Sequence, residues 1–408
     1  MKKLTLLSSI LAGVTAFGCI GLMGCKKTEP SNSVEYDHSA FLGVSETAVG
    51  GKTDGWVLEN TKALGAQAFR VEIDFNELFK AKKEDTLSFN EVQLEKYQTL
   101  IAGLKASGVK KIALVNTSYI QPYGYGCTSK NAIPDPVTEN ADYVRFLQLQ
   151  EKAFVMLARE FPEAEYFQPA YLANDDSYLH KNGYLLTADE ETSAAFYLSE
   201  DEQYHVIADM CWYVNRGISQ QNAKLRVVLP SVANGKAESF LEGVYRAIAA
   251  HTLPIAQEFA DDDPDNYFQV LSWQPTLSDS VGIDKAQIGD EKQIYAIAQS
   301  NGDGDKPVWY TQIGWNDIGT QAAQQTIAEN YLAFFNAVKT ELPFVETAYL
   351  ARLAAPEKRE DGVQDFGIVY GLTDLQYPAT PKPAALAIAK YIRGEDADLS
   401  GFYRYLEN

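Results

Sequence analysis

The chain is poor in the residues that hold metals, form disulfide frameworks or run nucleophilic triads. It has four cysteines and four histidines in 408 residues. Two scattered cysteines beyond the N-terminal leader, Cys127 and Cys211, make neither a disulfide framework nor a zinc site. His38, His180, His205 and His251 show no metal-ligand spacing, so no metal and no cofactor is expected. There is no Gly-x-Ser-x-Gly elbow and no ordered Ser/His/Asp set. No Gly-x-Gly-x-x-Gly turn follows the first strand, which excludes the usual dinucleotide fingerprint. Internal repeats and low-complexity stretches are missing. Basic residues are in deficit: 35 Lys and Arg against 55 Asp and Glu give a net charge of −20. That balance argues against a nucleic-acid partner and against an electrostatic membrane contact.

What is present begins with a leader. Lys2 and Lys3 precede an apolar, small-residue run from Leu4 to Met23, and Leu22-Met-Gly-Cys25 resembles a bacterial lipobox. A transmembrane helix is the competing reading; Gly and Ser within the run and the terminal cysteine weigh against it. Residues 1–24 are therefore expected to be a lipoprotein signal peptide, with Cys25 the lipidated residue. Residues 25–38 read as a polar tether. The mature chain would then sit on the bacterial cell surface or the periplasmic side, held to a membrane through Cys25. Cys211, in the apolar run Met210-Cys-Trp-Tyr-Val, reads as a core residue.

From residue 39 onward, strand-like and helix-like stretches alternate in eight pairs. The strands are read at Phe41–Ser45, Ala68–Phe75, Lys111–Asn116, Tyr166 to about Ala173, Leu225–Leu229, Tyr267–Trp273, Val308–Ile313 and Glu346–Leu353. The helices are read at Gly55–Leu64, Asn90–Ala106, Ala141–Phe161, Glu200–Gln220, Ala237–Ala250, Glu291–Ser300, Gln321–Glu341 and Pro383–Arg393. Eight successive βα units imply an α/β chain with a single (β/α)8 TIM barrel over 39–396 and a C-terminal tail over 397–408.

Several segments resemble clan A of the glycoside hydrolases, the retaining barrel enzymes that include cellulase-like and xylosidase-like families. Lys306-Pro-Val-Trp-Tyr-Thr-Gln-Ile-Gly-Trp315 looks like the strand that carries their nucleophilic glutamate. Phe366-Gly-Ile-Val369 and Pro381-Lys-Pro-Ala-Ala-Leu-Ala387 look like the stretch after their eighth strand. Phe69-Arg-Val71 looks like the strand whose arginine sits beside the nucleophile. The resemblance spans Phe41 to Arg393 and implies a sugar site at the C-terminal end of the barrel.

The departures fall on the chemistry. Gln312 stands where the nucleophile would be. Phe167-Gln-Pro-Ala-Tyr-Leu-Ala-Asn174 puts Tyr171 and Leu172 where the family's Asn-Glu acid/base segment falls. A shift of three residues would bring Asp175 there instead. Gln274 replaces a histidine, and Leu350-Ala-Arg-Leu353 lacks the usual tryptophan. Retaining hydrolysis needs two carboxyl groups about 5–5.5 Å apart. An aliphatic side chain and an amide supply neither the proton transfer nor the nucleophile.

Three carboxylates are candidate replacements: Asp74, Asp175 and Glu72. Arg70, Glu72 and Asp74 share one strand face, so Glu72 also reads as the ion-pair partner of Arg70. Asp175, Asp176 and Asp317 also read as turn or cap residues. The candidate binding residues are Arg70, Asn116, Tyr119, Tyr123, Tyr125, Asn174, Trp273, Gln274, Gln312 and Trp315. Aromatic faces with amide neighbours hold neutral sugars by stacking and hydrogen bonding. With 24 Tyr and 19 Phe in the chain, some aromatics fall near the mouth by chance. The leading expectation is a surface lipoprotein, catalytically degenerate, that binds carbohydrate at the former active-site mouth. An active glycosidase with relocated carboxylates and an adhesive barrel without a small ligand are the alternatives.

Overall fold

The computed structural model describes residues 40–183, 194–233, 235–250, 262–355, 364–374 and 376–405. The chain divides into two units, Met1–Ser33 and Val34–Asn408. The first unit lies outside the described residues, as do the whole tether, His38 and His251; the leader and Cys25 fall in that first unit.

The second unit is a (β/α)8 barrel. Its strands are β1 (Leu42–Thr47), β2 (Ala68–Asp74), β3 (Lys111–Ser118), β4 (Tyr166–Gln168), β5 (Arg226–Val227), β6 (Leu271–Trp273), β7 (Val308–Ile313) and β8 (Val345–Leu350). They hydrogen-bond in the order β6-β7-β8-β1-β2-β3-β4-β5, every pair parallel. The remaining gap is bridged where Val228 pairs with Val270, with Leu229 N–H donating to the Val270 carbonyl at 2.9 Å. The helices are α1 (Lys52–Leu64), α2 (Glu91–Ala106), α3 (Asn140–Glu160), α4 (Glu200–Ser219), α5 (Ala237–Ala250), α6 (Lys285–Ser300), α7 (Gln321–Glu341) and α8 (Pro383–Arg393).

Local chemistry accounts for the element ends. Capping boxes start α4 (Ser199 with Glu202) and α6 (Asp284 with Gln287). The α6 box sets its start at Lys285, six residues before the expected Glu291. Gly65, at φ +76°, closes α1 in the left-handed conformation that glycine adopts freely. Pro169 has no N–H for the ladder, which cuts β4 well short of the expected Ala173. The expected start of β6 at Tyr267 is replaced by a 3₁₀ turn at Pro264–Asn266, and the Gln269 side chain takes the Val227 N–H. After β8, Arg352–Ala354 leaves the barrel to pair in parallel with Gly367–Val369. In the C-terminal segment, Ser400–Tyr403 is a 3₁₀ turn that buries Phe402 in the main core.

The barrel interior is layered. At the lower end Trp309 and Tyr349 fill the axis, 5.5 Å between ring centroids, among Ala40, Ala68, Ala113, Val228 and Val270. Gly43 faces Tyr349 in register, and a Cβ there would overlap its ring. Gly43→Ala should therefore cost about 1–3 kcal/mol in urea unfolding; a neutral result would mean that the ring can move. Above lies a fully buried polar layer: Arg70, Gln168, Ser231, Ser272 and Thr311.

Candidate functional site at the barrel mouth

The end of β7 is irregular. Between the pairs Tyr310–Ala348 and Ile313–Leu350, β7 spends one residue more than β8. Such a bulge breaks strict alternation and re-aims a side chain. Thr311 and Gln312 both consequently meet interior partners. The Thr311 hydroxyl bonds that of Ser231 at 2.5 Å. Gln274 Nε2 donates to Gln312 Oε1 at 2.6 Å, and Gln312 Nε2 donates to the Tyr171 hydroxyl at 2.5 Å. One amide chain thus crosses the mouth from β6 through β7 to the segment after β4. Tyr171, where the resemblance expects the asparagine, meets the residue in the nucleophile's place. Leu172 is buried with Val115, Tyr171 and Ala233 and bridges to Ser231.

Arg70 lies directly below. Its Nη1 donates to the Thr311 carbonyl at 3.0 Å and its Nη2 to Gln168 Oε1 at 2.8 Å. Tyr171 and Tyr349 put their rings against the guanidinium, at 5.5 and 5.6 Å from Cζ. The expected ion pair with Glu72 is not formed among the described residues. Glu72 instead accepts the Ser45 hydroxyl at 2.8 Å. Parallel register explains this: Ser45 stands beside Arg70 and one step below Thr47, the neighbour of Glu72, so its hydroxyl reaches up to the carboxylate.

The β1–β2 corner of the mouth holds further charge. Burial first, and then the negative charge of Glu72, push the Glu46 carboxyl up to about 7. Arg352 and the N–H groups of Leu353 and Ala354 act the other way without cancelling this. Burial raises Tyr171 and Tyr178, with Glu72 adding to the effect and Arg352 opposing it. The two tyrosine rings lie 4.9 Å apart. Glu46, Arg352, Tyr171 and Tyr178 therefore feel the charge of Glu72, and sequence reasoning did not select them as site residues. No local motif marks Glu46 or Arg352; the turn of chain after β8 brings them together.

The remaining candidates fall in other places. Asp74 caps the short helix Phe75–Leu78 and pairs with Lys130 at 2.6 Å. Burial raises its carboxyl, but Lys130, the Ser118 hydroxyl and the Glu77 N–H outweigh this and hold it below the ordinary value. Asp175 accepts both the N–H and the hydroxyl of Ser177, a closed local turn. Burial and the charge of Asp175 raise Asp176. Asn116 bonds the Pro169 carbonyl and the Ser118 N–H, and Asn174 takes both backbone groups of Ala233. These two amides hold the β3, β4 and β5 ends in place.

The aromatic candidates do not converge on Gln312. Trp273 points outward and donates to Glu291 of α6 at 2.6 Å. Trp315 donates to the Ser278 carbonyl and packs on Tyr331. Tyr119 is buried against Phe146 of α3, and Tyr125 donates to Glu139 at 2.6 Å. Tyr123 is 54 % exposed. Asp317 pairs with the buried Lys382 at 2.9 Å. Among the described residues no group of three or more His, Cys, Asp or Glu could hold a metal ion, and no helix is long and apolar enough to cross a membrane.

No protein-family model and no curated protein sequence matches the chain. Solved structures do. A GH5-4 broad specificity endoglucanase from Clostridium acetobutylicum has a TM-score of 0.55 and 14% identity, covering 87% of this chain and 97% of that one. A beta-glucosidase from Exiguobacterium marinum has a TM-score of 0.55 at 11% identity, covering 88% and 99%. A Bacteroidetes-affiliated GH5 cellulase linked with a polysaccharide utilization locus has a TM-score of 0.55 at 11% identity, covering 90% and 94%. At such identities the likeness is one of fold, and the fold is that of the glycoside hydrolase barrels.

Proposed function

We propose that this chain is a surface lipoprotein whose glycoside hydrolase-like barrel binds carbohydrate at its mouth without cleaving it. The observation that carries this reading is the bonding of Gln312. Its carbonyl accepts from Gln274 and its amide nitrogen donates to Tyr171. An amide held in this place can neither attack an anomeric carbon nor carry the negative charge a nucleophile needs. With Leu172 aliphatic, the usual route has neither nucleophile nor acid, and acid–base help alone is typically worth about 10²–10⁴-fold. Tyr178, Glu72, Arg352, Gln274 and Gln312 would supply the donors, acceptors and ring face that a sugar uses.

The test pairs calorimetry against cello-, xylo- and manno-oligosaccharides with aryl-glycoside turnover. Binding without turnover is expected, and Gln312→Ala should weaken binding by about tenfold, the worth of roughly 1.4 kcal/mol. Hydrolysis abolished by changing Asp74 or Asp175 would overturn the reading. A second reading, hydrolysis by relocated carboxylates, is motivated by the raised Glu46 carboxyl, on which burial and then the charge of Glu72 act; turnover lost in Glu46→Gln and in Glu72→Gln would establish it. Attachment through Cys25 predicts palmitate labelling of the wild type and none of Cys25→Ala.

A further inference from the structure

The polar layer below the mouth contains a guanidinium with one edge unspent. Arg70 is 1 % exposed. Thr311 and Gln168 take Nη1 and Nη2, and Tyr171 and Tyr349 lie against the group. Nε has no protein partner, and neither has the hydroxyl of Tyr349, which is fully buried in the layer beneath. Both can donate. Burial holds the Tyr349 phenol well above its ordinary pKa, so it keeps its proton. The two named acceptors of Arg70 are neutral, and no carboxylate pairs with it among the described residues. A buried cation is costly without a paired anion, and a buried donor is costly without an acceptor. In the resembling enzymes a glutamate stands in the place of Gln312 and brings a negative charge; here the amide brings none.

We propose that the interior of the barrel, beside Arg70 Nε and the Tyr349 hydroxyl and beneath the Gln312–Tyr171 bond, is a binding site for a small monoanion of the halide class. The donors suit such an ion: a guanidinium N–H and a phenol O–H, in a water-poor layer where charge–charge attraction is strong. Above the two donors, Gln312 and Tyr171 are joined by a hydrogen bond. The proposal does not depend on whether the mouth takes a sugar.

The experiment is thermal unfolding of the full chain in sodium chloride, bromide and gluconate at one ionic strength, with bromide anomalous diffraction from crystals. Chloride and bromide should raise the Tm saturably by roughly 2–4 °C over gluconate, with a bromide peak at Arg70 Nε. Tyr349→Phe should lower halide affinity by about tenfold, the loss of one donor to a charged group. Gln312→Glu should abolish the halide effect, since it restores a negative charge near Arg70. Equal Tm in all three salts, with no bromide peak in the layer, would overturn the proposal and leave water as the partner. A halide effect that persists undiminished in both variants would overturn it as well, because the ion would then be bound elsewhere.

Discussion

Raising the pH from about 5 to about 8 should destabilise this barrel by several kcal/mol. Three carboxyl groups that form no ion pair among the described residues drive this. Burial, then Glu72, push Glu46 up to about 7 from an ordinary 4.5. Burial pushes Asp209 up to about 7 from 3.8 against a single hydrogen bond from Tyr143. Burial pushes Glu291 up to about 7 from 4.5, although Trp273 and Tyr310 both donate to it. Each binds its proton more tightly folded than unfolded. The stability tied to that proton is complete below the unfolded value near 4 and is lost as pH rises through the folded value near 7. At about 1.4 kcal/mol per unit, each group accounts for up to roughly 3–4 kcal/mol. The opposite limb belongs to carboxylates held below their ordinary values by partners, among them Asp74 with Lys130 and Glu202 with Lys181. Their contribution is present above about pH 4 and lost as the pH falls. Maximum stability is thus expected near pH 4–5. Urea unfolding of the wild type, Asp209→Asn and Glu291→Gln at pH 5 and 8 checks it. The variants should flatten the slope, and a wild type equally stable at both pH values would refute the account.

How much of this was legible beforehand differs from element to element. Val308–Ile313 reads as a strand from β-branched and aromatic residues after a Gly-Asp turn, and it is one. Ala237–Ala250, Gln321–Glu341 and Pro383–Arg393 are helices at the residues their periodicity and proline punctuation indicate. β4 is shorter than its composition suggests, because buried residues continue past Pro169, where the ladder stops; β5 proper covers Arg226–Val227, and the pairing expected through Leu229 continues as a bridge to Val270. Trp273 was readable in principle: alternation puts Ser272 and Gln274 inward, which sends Trp273 outward to α6. The bulge in β7 was not, since it depends on how β7 and β8 pair. Nor was Tyr171 as the partner of Gln312. That contact spans 141 residues and exists only once the barrel is closed.

The substitution with the largest expected effect on a single contact is Lys382→Met. Lys382 is 3 % exposed, and its Nζ lies 2.9 Å from Asp317 and 2.7 Å from Asp365. The two carboxylates belong to different segments. Asp317 follows β7 by four residues and also accepts the Gly319 N–H and the Gln324 amide. Asp365 precedes the Gly367–Val369 strand and accepts the Gly367 N–H. Lys382 itself stands at the N-terminal boundary of α8. One ammonium thus ties the loop beyond Gln312 to the closing βα unit of the barrel. Methionine keeps most of the stem volume and removes only the charge, so packing loss stays small. What remains is two buried carboxylates that have lost this cation, a loss of about 3–5 kcal/mol. Asp317→Asn leaves the Lys382–Asp365 pair intact and should cost less. Charge imbalance predicts a pH signature that a packing defect would not show. Against the effect of burial, Lys382 holds the Asp317 carboxyl below its ordinary value, so without it Asp317 takes up its proton more readily. As the pH falls to about 4, the deficit of Lys382→Met should therefore shrink towards that of a neutral substitution. Urea unfolding at pH 7.5 and pH 4 measures this directly. A deficit below about 1 kcal/mol, or one unchanged by acid, would mean that the triad does not hold the loop. If the deficit behaves as expected, the same variant should also weaken the carbohydrate binding proposed above, because Asp317 follows the end of β7 that carries Gln312.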